Sequence, residues 1–116
     1  MKNIKIGNAD YIVEFATCAS MHKELTDIIV KELKEATDGK SIADVLKESK
    51  DVTQVTLHML HAGLLEHQNN WDMSKTKAVM KQCLKERKGA ENGSYKALRD
   101  ELLEVMEEDK FFVLIG

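Results

Sequence analysis

The sequence predicts an α+β protein that is mainly α-helical: about five helices in a bundle, with an N-terminal β-hairpin packed on it. Period-two alternation is confined to residues 2–15, around a Gly-Asn turn, which is a hairpin signal. Beyond residue 15 apolar residues recur at three- and four-residue spacing, the mark of amphipathic helices. Proline is absent and Lys, Glu, Leu and Met are plentiful, all of which favours helix. The 116 residues suit one domain with a modest core, divided into a hairpin (2–15), a helical bundle (17–109) and an apolar C-terminal tail (110–116). With 43% hydrophobic and 32% charged residues, the chain reads as globular rather than disordered.

Each element has its local reason. Ile4 and Ile6 project to one side, Gly7-Asn8-Ala9 turns, and Tyr11, Val13 and Phe15 alternate with Asp10, Ile12 and Glu14. A lone hairpin is marginal in water, so its apolar face must lie on helices. Thr17 can cap a first helix to about Ala36, whose apolar stripe is Cys18, Met21, Leu25, Ile28, Ile29 and Leu33; Asp38-Gly39 stops it. Ser41-Ile42-Ala43-Asp44 resembles a capping box and opens a short helix to about Glu48 that buries Ile42, Val45 and Leu46. Asp51 opens the central helix, which frays near Gln68-Asn69-Asn70. Ser74 caps a fourth helix with Val79, Met80, Cys83 and Leu84 inside. Lys88-Gly89 to Asn92-Gly93 is a loop. Ser94 caps the last helix, on which Tyr95, Leu98, Leu102, Val105 and Met106 share a stripe.

The central helix is the most informative segment. Val52, Val55, Met59 and Gly63 form one stripe, Leu57, Leu60 and Leu64 flank it, and Leu65 falls opposite, near His58 and His61. A helix apolar around most of its circumference sits in the middle of a bundle or under a partner. Leu57, His61, Leu64 and Leu65 are therefore expected to form an outward, partner-binding side. The run Phe111-Phe112-Val113-Leu114-Ile115 is open to two readings. It is a last strand or tail laid on the core, or it is an exposed docking segment, in which Phe111, Phe112, Leu114 and Ile115 contact another polypeptide. Trp71, just beyond the central helix, anchors either its loop or an interface, and the buried loop anchor is the favoured reading.

Catalytic chemistry finds little support. His58 and His61 stand at i,i+3, but a metal site needs a third and usually a fourth ligand, and no His-Glu-x-x-His pattern occurs. The two histidines are expected to face solvent or a partner. Cys18 and Cys83 lie on apolar stripes, where a desolvated thiol is reduced and inert. No Gly-rich phosphate loop or other cofactor motif is present, so neither enzyme activity nor a cofactor is expected. No run approaches the ~20 apolar residues that span a bilayer, and residues 1–3 lead into a strand rather than a signal-peptide core; a cytoplasmic location is the simplest expectation. Lys77, Lys81, Lys85 and Lys88 make a basic stripe, but the following helix carries Asp100, Glu101, Glu104, Glu107, Glu108 and Asp109. Solvation or intramolecular pairing accounts for that stripe better than nucleic acid, because it lacks arginine and aromatic side chains.

The order of Ile4-Lys5-Ile6-Gly7-Asn8-Ala9-Asp10-Tyr11-Ile12-Val13-Glu14-Phe15, then Gly39-Lys40-Ser41-Ile42-Ala43-Asp44-Val45-Leu46, then Leu57-His58-Met59-Leu60-His61-Ala62-Gly63-Leu64 resembles the tail assembly chaperones of long-tailed bacteriophages and prophages. The resemblance covers about residues 4–68. It implies a non-enzymatic, self-associating protein of the host cytoplasm that binds the tape measure protein, and in some phages the tail tube protein, while the tube polymerises. In such families a longer form often arises by ribosomal frameshifting. This chain departs from the pattern in its lysine-rich fourth helix and its apolar terminus. Two other classes fit a helical module of this size: an immunity or antitoxin protein, and a nucleic-acid-binding regulator using the lysine stripe.

Overall fold

The computed structural model describes residues 1–35, 41–68, 70–86 and 94–115, without the side chains of Leu84, Ser94 and Ile115. It is an α+β fold dominated by helices, with an N-terminal antiparallel hairpin. Strands β1 (Lys2–Ile6) and β2 (Ala9–Val13) pair with Ile4 opposite Tyr11 and Ile6 opposite Ala9. Gly7 makes the turn at φ 67°, a conformation that costs glycine nothing. Ile4, Ile6, Val13 and Phe15 are buried, so the alternation read from the sequence does mark the inner face.

Seven helices follow among the described residues: α1 (Thr17–Ser20), α2 (Lys23–Glu35), α3 (Ile42–Lys47), α4 (Val52–Leu64), α5 (Met73–Glu86), α6 (Ser94–Glu108) and α7 (Phe111–Ile115). The expected first helix is thus two. The chain bends at Met21-His22, where the His22 N–H donates back to Ala19. Thr17 does not cap: Ala16 precedes α1 without a side-chain bond. Instead the Glu66 carboxylate, from beyond α4, accepts from the Cys18 N–H at 3.2 Å. The bend breaks the predicted stripe. Leu25 and Ile29 are buried, whereas Cys18, Met21 and Leu33 are exposed.

The other starts follow side-chain chemistry. Ser41 Oγ accepts from the Asp44 N–H and Asp51 accepts from the Gln54 N–H, both as predicted. α5 is capped by Asp72, which accepts from the Lys75 N–H at 2.9 Å, rather than by Ser74. Val45 and Leu46 of α3, Val79, Met80 and Cys83 of α5, and Leu98, Leu102, Val105 and Met106 of α6 all point inward. The predicted stop at Asp38-Gly39 and the loop Lys88–Gly93 lie outside the described residues. So do Asn69 of the predicted fraying end and the side chain of Leu84, which was expected to point inward.

α4 is the axis of the molecule, packed against the hairpin, α1, α2, α5 and α6. From Val55 to Leu64 every residue is buried except His58, which is half-buried. The outward side expected of Leu57, His61 and Leu64 therefore does not exist, because the chain's own elements cover α4 all round; Leu65, just past its end, is half-buried. Gly63 makes this closeness workable: a Cβ there would stand 2.6 Å from Val13 Cγ1 and 3.0 Å from Phe15 Cζ. The backbone itself is tied at that point, with the Glu14 N–H donating to the Gly63 carbonyl at 2.9 Å.

The terminal run is a helix, not a strand. Lys110 at φ 55° turns the chain out of α6, and its carbonyl accepts from the N–H groups of Val113 and Leu114 to begin α7. Phe111 is fully buried, its ring 5.6 Å from that of Phe15. It is a core residue rather than the docking contact expected of it. Phe112 is half-buried, Val113 and Leu114 are exposed, and the Ile115 side chain is not among those described.

Candidate functional site

Two places on this frame gather more chemistry or more apolar surface than the fold itself needs. The first is an open groove of about 410 Å³ between the hairpin exit, α1 and α7. Phe15, Ala16 and Thr17 line it from the hairpin exit and the start of α1, Val113 and Leu114 line it from α7, and Glu14, Asp109 and Lys110 add charged groups. Val113 is 79% and Leu114 55% exposed. Met21, 77% exposed, directly follows α1. Asp109 ties the two sides together, accepting from the Phe15 N–H at 2.9 Å and from the amino group of Met1.

Among the described side chains expected to contact a partner, only Leu114 lies in this groove and is exposed. Leu57, His61, Leu64 and Phe111 belong to the interior. Val113, which lines the groove, was missed, and so was the exposure of Met21. In Val113 the signal was present, since it belongs to the apolar terminal run. Met21 was hidden because the continuous stripe placed it inside.

The second place is a histidine cluster that forms only in three dimensions. His22, at the α1–α2 bend, lies with Nε2 3.4 Å from His58 Nδ1, and its ring centroid is 4.9 Å from that of His61. His22 Nδ1 is 3.4 Å from the Glu24 carboxylate. His61 Nδ1 is 2.7 Å from the buried Thr76 hydroxyl, which also accepts from Trp71 Nε1 at 2.7 Å. Trp71 anchors its loop from there, edge-on to Tyr11 at 6.0 Å.

Burial pushes the pKa of all three histidines below the ordinary histidine range. For His61 the charges of His22 and His58 push the same way; Glu24 opposes the shift in each case. At neutral pH the three rings are uncharged. No group of three His, Cys, Asp or Glu side chains among the described residues is disposed to hold a metal ion.

Cys18 is not the buried residue expected, yet its thiol is still unactivated. A hydrogen bond to the Glu66 carboxylate, together with burial and that group's charge, raises its pKa, which disfavours the nucleophilic thiolate. Lys77, Lys81 and Lys85 are exposed on α5, and Glu101 of α6 pairs with Lys2 at 3.3 Å. No helix among the described residues is long and apolar enough to cross a membrane. Compared with known proteins, the chain matches no family model, no curated protein and no solved structure.

Proposed function

We propose that this protein binds an amphipathic segment of another polypeptide without altering it chemically, and that it acts as a tail assembly chaperone for the tape measure protein. The carrying observation is the exposed apolar pair Val113 and Leu114, which lines an open groove beside the hairpin exit and the start of α1. An amphipathic helix laid in such a groove covers apolar side chains that water otherwise touches. The resemblance of residues 4–68 supplies the occupant: a segment of a long, helical, aggregation-prone tape measure protein, with the tail tube protein as a second client. It also supplies the setting, a self-associating protein of the bacterial cytoplasm.

The test is a paired substitution, Val113→Asp with Leu114→Asp, in pull-downs of a phage tape measure protein. Both residues are exposed, so the circular dichroism spectrum is expected to stay helical. Capture is expected to fall at least tenfold and to be salt-tolerant in the parent protein. Undiminished capture by the variant removes this groove as the docking site. Capture that collapses as salt rises points to the α5 lysines and nucleic acid instead. Light scattering on the eluted chain tests self-association.

A further inference from the structure

The histidine cluster lies apart from the docking groove and is not explained by packing alone. Three rings from two elements meet across the α1–α2 bend and α4, the only elements that contribute imidazoles to the contact. His22 also holds the start of α2, since its carbonyl accepts from the Thr26 N–H. We propose that protonation of His22, His58 and His61 releases the α1–α2 bend from α4, making this cluster an acid-operated latch.

The geometry carries the argument. The facing nitrogens of His22 and His58 form a hydrogen bond only while one of them lacks a proton. With both rings charged, the same 3.4 Å contact sets two donors and two positive charges against each other. The groups facing the cluster cannot compensate. Glu24 on α2 is its nearest acid, and its side chain is 63% exposed, so solvent screens it. Asp72, before α5, acts on His61, while Lys77 on α5 opposes protonation of His58.

Thr76 extends the latch to the Trp71 loop. With His61 neutral, the Thr76 hydroxyl can donate to Nδ1. Once Nδ1 carries a proton, the hydroxyl must accept there and turn its own hydrogen to the Asp72 carbonyl, 3.4 Å away. Trp71, the only tryptophan in the chain, donates to the Thr76 hydroxyl oxygen and reports on it.

The sign follows from burial lowering the folded-state pKa of each ring. The stabilisation is complete above the unfolded histidine pKa of about 6.5 and is lost as pH falls from there through the folded values. Hydrogen exchange of the wild-type protein between pH 7.5 and 5, corrected for the intrinsic pH dependence of exchange, is the primary experiment. Residues 17–35 are expected to lose protection at least tenfold on acidification, while α6 keeps its own, and Trp71 emission is expected to shift over the same range. The variant His22→Gln with His58→Gln is expected to flatten the loss of protection, and His61→Gln the Trp71 shift, while His67→Gln, which alters the separate pair with Glu14, leaves both intact. Unchanged protection of residues 17–35 in the wild type overturns the latch, and so does a loss of protection that survives in the double variant.

Discussion

Phe111→Ala is expected to destabilise the fold by about 3–5 kcal/mol, the usual cost of truncating a fully buried phenylalanine. The ring is 0% exposed and stacks at a tilt on Phe15, itself only 1% exposed. Phe15 belongs to the hairpin exit and Phe111 to the start of α7, so the pair joins the two ends of the chain over α4. Removing one ring leaves a void bounded by Phe15, which Asp109 holds in place through its N–H. Retreat of the hairpin cannot readily close that void. The loss is a large share of the 5–15 kcal/mol that holds a typical domain together, and chemical denaturation would report it as a lower midpoint with an unchanged slope. A change below about 1 kcal/mol would show instead that Phe111 is a surface docking residue, as its place in the terminal apolar run suggested.

Gly63→Ala is expected to cost about 1–3 kcal/mol, the usual penalty for overfilling a packed core. On an exposed helix the same change would stabilise by about 1 kcal/mol through helix propensity, so the two effects have opposite signs. Sterics win here because the new methyl would stand 2.6 Å from Val13 and 3.0 Å from Phe15, and neither side chain has solvent to move into. The hairpin cannot simply back away, since the Glu14 N–H is bonded to the Gly63 carbonyl. Gly63→Val adds two further methyls and is expected to cost more. Thermal unfolding of the two variants checks the order; a Gly63→Ala protein more stable than its parent would mean the hairpin is loosely seated.

These two substitutions also mark how far sequence reasoning reaches. Gly63 was visible on the inner stripe of a helix apolar on most sides, and the burial of that helix follows directly. What was not visible is which elements cover it. Period and composition measure how apolar a face is, but they do not say whether a neighbour from the same chain or from another will bury it. Leu57 and Leu64 were read as surplus for a partner and are consumed by the chain's own core. The bend at Met21-His22 had the same effect in reverse, rotating Met21 out of a stripe that looked continuous.

The histidines show the limit most clearly. His58 and His61 were legible as a pair because an i,i+3 spacing is local. The arrival of His22 between them depends on α1 and α2 folding back over α4, a long-range event with no local signature.

By itself the sequence determined the N-terminal hairpin, its inner residues, the helical majority and the caps at Ser41 and Asp51, because backbone periodicity and capping are settled within a few residues. Only the tertiary structure decided that Phe111 is core while Val113 and Leu114 face water. It alone decided that the last segment is helical, that Glu66 and Asp72 stand in for the expected caps, and that three imidazoles meet. Burial and proximity are properties of which segments come to lie together, and that depends on contacts between residues far apart in the chain.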